Sequence, residues 1–178
     1  MKLNQNLVIL SLLISLSGCT GDVFDQTINM NAKTANAELT LAPDFTLSEL
    51  GGGQVTLSEF RGQKPVLLVF WASWCGYCRQ EVPRANALRR MHSTDDLEIL
   101  GVNLQESEQT AAAFATKLNF GYRVIMDSRG DVANLYHVQG LPTMILIDAQ
   151  GQAIAKAHTL GPELNEIIRR KVNEAKTQ

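Results

Sequence analysis

Two of the three cysteines in this 178-residue chain stand three positions apart, in the stretch WASWCGYCRQEVP at residues 71–83. An apolar run precedes Cys75 and a helix-like segment follows Cys78, so the pair is expected where a strand ends and a helix begins. That place has its own chemistry. A helix N-terminus presents unpaired N–H groups and a partial positive charge. A thiolate there is stabilised and becomes a nucleophile near neutral pH. The spacing puts both sulfurs on the same side of the first turn. One thiol can attack a substrate disulfide, and the other can resolve the mixed disulfide that forms. Cys75, nearer the terminus and expected to be more exposed, is assigned the attack. Cys78 is assigned the resolution, and a Cys75–Cys78 disulfide is the oxidised form. Two other readings compete. A structural disulfide suits an oxidising compartment, but so short a loop removes little chain entropy. Zinc needs further ligands, and His92, His137 and His158 are scattered along the chain. C-x-x-C-H is absent, so no haem attachment site is present. No metal and no cofactor are expected.

The elements that must position this pair follow from patterning. PVLLVFWA (65–72) and LEILGVNL (97–104) are apolar runs of the kind buried on both faces of a sheet. A helix is expected from Cys75 to about Met91. In SEQTAAAFATKLN (107–119), Ala111, Phe114, Ala115 and Leu118 recur at helical spacing. YRVIM reads as a short strand, GDVANLYHV as a short helix and TMILID (143–148) as a further strand. AQGQ turns the chain into AIAKAH. A last helix begins at Gly161-Pro162, with Leu164, Ile167, Ile168, Val172 and Ala175 in phase. DFTLSEL and QVTLSEF flank Gly51–Gly53, a hairpin pattern. Strands alternating with helices predict an α/β sheet covered on both faces. With 45% apolar and 19% charged residues the composition is that of a globular domain. The net charge of −2 suggests no nucleic-acid partner.

The N-terminus reads as an address. Lys2 precedes the ten-residue apolar run LVILSLLISL (7–16), too short for a mature membrane span. LSGC, Leu16 to Cys19, resembles a bacterial lipobox. This implies removal of residues 1–18, a lipid on Cys19 that anchors the chain to a membrane, a polar tether over 19–42 and a folded domain over 43–178. With Cys19 lipidated, the remaining cysteines form one pair.

FWASWCGYCRQEVP resembles the active site of the thioredoxin superfamily, and GLPTMILID (140–148) resembles its cis-proline strand. From about Asp44 onward the chain is similar to the TlpA/ResA-like branch, membrane-anchored thioredoxins outside the cytoplasm. The resemblance implies a thioredoxin-like α/β fold: a central mixed sheet flanked by helices, an N-terminal β-hairpin and an extra helix and strand at about 106–127. It implies that Pro142 is cis and faces the cysteines, and that the Leu141 backbone pairs with an extended substrate. Trp74 would shield the dithiol. Trp71 would pack beneath it or serve as plain core, and Pro83 would kink the helix. Gly76 and Tyr77, between the cysteines, would tune the redox potential and contact substrate. Gly-Tyr is the pair of periplasmic disulfide isomerases, whereas Thr143 after the proline fits the general TlpA/ResA pattern.

Cytosolic thioredoxins carry a buried Asp six residues before the first cysteine, where this chain has Val69. Glu81, three residues after Cys78 on the same helix face, matches a functional glutamate of ResA-like proteins. It would exchange a proton with the resolving thiol. The expected function is a lipid-anchored thiol–disulfide oxidoreductase, a monomeric domain that reduces protein disulfides with electrons from a transmembrane thiol donor. The alternatives are a disulfide isomerase or oxidase of secreted proteins and, from another class, a copper-delivery module on the same fold. Modules of that kind usually carry C-x-x-x-C with a distant histidine.

Overall fold

A computed structural model describes residues 41–177. The signal-like run, Cys19 and residues 19–40 of the expected tether lie outside the described residues.

The apolar run at 65–72 forms β3 (Val66–Trp71), all six residues of which are buried. It pairs in parallel with β4 (Glu98–Leu104) and antiparallel with β6 (Thr143–Ile147). β4 pairs in parallel with β5 (Arg123–Asp127). Beyond β5 lie β1 (Thr46–Glu49) and β2 (Gln54–Thr56), each antiparallel to its neighbour. β7 (Ala153–Ala157) completes the other side against β6. The seven strands run in the order β2-β1-β5-β4-β3-β6-β7. Parallel neighbours need crossover connections. These are supplied by α1 (Gly76–Met91) between β3 and β4 and by α2 (Glu108–Lys117) between β4 and β5. α3 (Asp131–Leu135) and α4 (Pro162–Ala175) complete the fold.

Alternation along β3 separates two cores, because successive strand side chains point to opposite faces. Val66, Leu68 and Phe70 pack with Phe45, Leu57 and Phe60 and with Val132 and Ala133 of α3. Leu67 and Val69 pack with Ala85 and Leu88 of α1 and with Leu164, Ile168 and Val172 of α4. Trp71, next on that second face, packs with Ala111, Phe114 and Ala115 of α2 and with both cysteines. The expected mixed sheet with helices on both faces is the observed one.

Two differences from the sequence reading have local causes. The second hairpin strand is only three residues long, and Leu57–Phe60 winds into a 3₁₀ turn. Residues i and i+3 eclipse in that geometry, so Leu57 and Phe60 both reach the core, which a continued strand would forbid. The fold also reaches back past residue 43. Leu41 bridges to Gln152, and the Ala42 N–H donates to the Gly151 carbonyl. The β1–β2 turn takes three glycines in the left-handed region, with φ of 90°, 114° and 90° at Gly51, Gly52 and Gly53.

Glu98 opens β4 as a buried acid, and burial pushes its carboxyl above the ordinary range against the weaker pull of Arg123, Lys64 and Arg89. For an acid raised on folding, the ionised form is the costly one. The cost is absent below the unfolded value and grows as pH rises through the folded one. Glu98→Gln is therefore expected to unfold at higher denaturant than the wild type at neutral pH, with the gain fading below about pH 4. Urea titrations at the two pH values measure this, and an equal gain at both would assign the effect to something other than the charge.

Candidate active site

The dithiol sits where β3 hands over to α1. Cys75 is the N-cap of the helix: its backbone is extended, and its Sγ accepts the Cys78 N–H at 3.1 Å. A sulfur thus takes one of the donors that a helix start leaves unpaired. Cys75 and Cys78 are joined in a disulfide, with Cα atoms 5.3 Å apart. In this oxidised form both cysteines are buried, 5% and 3% exposed, so the expected greater exposure of Cys75 amounts to almost nothing. Both are packed among Trp71, Phe114 and Met126, with Leu141 against them. The residues before each cysteine stand out instead, Trp74 at 70% and Tyr77 at 74% exposure. A Cβ on Gly76 would meet nothing within 4 Å, so the surface between these rings is open.

Trp71 meets both descriptions given to it. It lies in one cluster with the cysteines, and its indole stacks on Phe114 at 5.2 Å and tilts against Phe120 at 4.9 Å. Gly101 on β4 makes room for it. A Cβ there would come within 2.9 Å of the Tyr122 ring and 3.1 Å of the indole nitrogen.

The loop before Cys75 is pinned by a residue that the sequence reading missed. Ser73 donates both its N–H and its hydroxyl to the Glu106 carboxylate, which also accepts from Asn103 Nδ2 at 2.7 Å. The Arg79 guanidinium donates to the Ser73 carbonyl at 3.3 Å and lies 5.5 Å from the Phe114 ring centre. No local pattern links Glu106 to Ser73. The β3–β4 register, which sets Asn103 beside Trp71, is what brings them together.

The facing wall comes from β6. Phe70 is opposite Thr143, so Pro142 runs alongside the end of β3. The Leu141–Pro142 peptide is cis, and Leu141 packs against the cluster that holds the cysteines. His158, named from sequence only as one of three scattered histidines, holds the Pro142 carbonyl at 2.8 Å through Nδ1.

Val69 lies in the apolar core against α1 and α4. Glu81 is buried at 5% exposure, one turn beyond Cys78. Its carboxylate accepts from the Leu160 N–H and the Thr159 hydroxyl, both at 2.9 Å, and pairs with Arg84. Both oxygens are therefore engaged on the segment between β7 and α4. Pro83 lies inside α1, where it removes one helical N–H donor. Among the described residues no three His, Cys, Asp or Glu side chains converge as a metal set, and no helix is long and apolar enough to cross a membrane.

Comparison with known proteins agrees with this geometry. Residues 40–156 match the AhpC/TSA family. The thiol-disulfide oxidoreductase ResA of Geobacillus kaustophilus is 36% identical over 154 residues, covering 85% of this chain and 87% of the relative. The thioredoxin-like protein YneN of Bacillus subtilis is 36% identical over 143 residues, covering 79% and 82%. The crystal structure of the thioredoxin domain of a thiol-disulfide oxidoreductase from Bacteroides vulgatus superposes with a TM-score of 0.69 at 28% identity, covering 77% of this chain and 99% of that one. A Cys75–Cys78 pair at a helix N-terminus, on this fold and in this company, carries the conclusion: the chain belongs to the AhpC/TSA family, as a thioredoxin-fold thiol–disulfide oxidoreductase similar to ResA.

Proposed function

We propose that the protein reduces disulfide bonds of other proteins outside the cytoplasm, cycling Cys75 and Cys78 between a dithiol and a disulfide. The observation that carries this reading is the Cys75 sulfur at the α1 N-terminus, capping the Cys78 N–H and bonded to Cys78. In the first step the Cys75 thiolate attacks one sulfur of the substrate disulfide. A Cys75–substrate bond forms and one substrate thiolate leaves. The Cys78 thiolate then attacks the Cys75 sulfur, and the second substrate thiolate leaves as the Cys75–Cys78 bond closes. The substrate gains two electrons and the protein loses two. A thiol donor in the membrane would return them by the same exchange in reverse.

A substrate chain would lie extended along the Leu141 backbone, as an added strand does. The exposed rings of Trp74 and Tyr77, with Gly76 between them, would contact it on the other side. Glu81 shares the helix face of Cys78 and would exchange a proton with that thiol during resolution. The lipobox-like LSGC supports lipidation of Cys19 and anchoring to the membrane, with residues 19–42 as tether.

Cys78→Ser is expected to accumulate mixed disulfides through Cys75, visible as adducts on non-reducing gels, while Cys75→Ser accumulates none. Equal trapping by both variants would reverse or abolish the roles. Cys19→Ser is expected to lose the lipid mass on the N-terminus and release the protein from membranes with its dithiol activity intact. A wild-type N-terminus without lipid in a mass spectrum would end the anchor reading. Glu81→Gln removes a negative charge near the thiols and is expected to lower at least one macroscopic thiol pKa, with one unit corresponding to about 1.4 kcal/mol. The measurement is alkylation against pH, and superimposable curves would leave Glu81 as a strut between α1 and residues 159–160.

A further inference from the structure

Residues 158–160, between β7 and α4, touch both walls of the site. Thr159 and Leu160 hold Glu81 on α1, one turn past Cys78. His158 holds the other wall, its Nδ1 lying 2.8 Å from the carbonyl of Pro142. A carbonyl oxygen only accepts, so Nδ1 carries the proton of this bond. Thr143 Oγ1 lies 3.4 Å from the same nitrogen and gives its own proton to the Gly140 carbonyl at 2.7 Å. The β6–β7 ladder ends at Met144 and Ala157. Past that point no backbone donor of β7 is paired with the Pro142 carbonyl, and the imidazole supplies one. His158 itself is exposed, so the contact is not part of the hydrophobic core.

We propose that His158 is a positioning residue for the substrate strand. By holding the Pro142 carbonyl it sets the orientation of the Leu141–Pro142 edge. Because the next two residues grip α1 through Glu81, the same segment sets the separation of that edge from the dithiol. This rests on the reading that the Leu141 backbone receives the substrate. Loss of the imidazole donor loosens the edge against which the substrate pairs, so its effect falls on binding of an extended chain.

The test compares the wild type with His158→Leu and His158→Asn on a peptide carrying one intramolecular disulfide. The equilibrium with glutathione is measured alongside as a report on the dithiol itself. Asn can present an amide donor where Nδ1 stood, and Leu cannot. His158→Leu is expected to raise KM for the peptide about three- to tenfold, the factor that one neutral hydrogen bond is worth. The value of kcat should change much less, the glutathione equilibrium should not move, and His158→Asn should recover most of the loss. An unchanged KM in His158→Leu, or Leu and Asn variants that behave alike, would overturn the role of His158 alone. A wild-type protein that equilibrates with glutathione yet leaves the peptide intact would overturn the substrate reading and this inference with it.

Discussion

A helix cannot pair its own first N–H groups, and in α1 one of them is bonded to the Cys75 sulfur. That contact sets where the chemistry can happen. The sulfur is useful only if it stays at the helix terminus, where the partial charge of the helix favours a thiolate. The strand that delivers it is fully enclosed. β3 is paired on both edges, parallel to β4 and antiparallel to β6, and covered on both faces. Its last residue, Trp71, is fixed by rings from α2 and the β5 approach, in space that Gly101 leaves open.

Around this junction, three remote parts of the chain supply the polar ties. Glu106 holds Ser73 ahead of the nucleophile, Glu81 holds α1 to residues 159–160, and His158 holds the cis-proline loop. Two of these ties are carboxylates that are buried or half-buried, a costly arrangement unless their oxygens find donors. Both do: Glu106 has two donors from Ser73 and one from Asn103, and Glu81 has Arg84, Thr159 and Leu160. Val69, six residues before Cys75, adds no further polar group and lies in the apolar core.

Much of this was legible in the chain. The spacing of Cys75 and Cys78, the apolar run ahead of them and the helical period after them are local properties. They name a strand, a helix and a reactive pair at the junction. The order of the remaining elements follows in the same way, and the glycines of the first turn announce the hairpin. The 3₁₀ turn at Leu57–Phe60 was not legible, since a three-residue spacing of apolar positions over so short a run fits several conformations.

What the sequence alone determined was therefore the kind of chemistry and the list of elements, because periodicity and turn residues are written in consecutive positions. What only tertiary structure decided was which polar groups serve the site. Glu106 reaches Ser73 across 33 positions, Glu81 reaches Leu160 across 79, and His158 reaches Pro142 across 16. A hydrogen bond forms only within about 3 Å, and no local pattern encodes a meeting of that precision. Strand register sets it for Glu106 and His158, and the packing of α1 against α4 sets it for Glu81. The near-equal burial of the two cysteines has the same origin, since Trp71, Phe114, Met126 and Leu141 converge on them from β3, α2, β5 and the loop before β6.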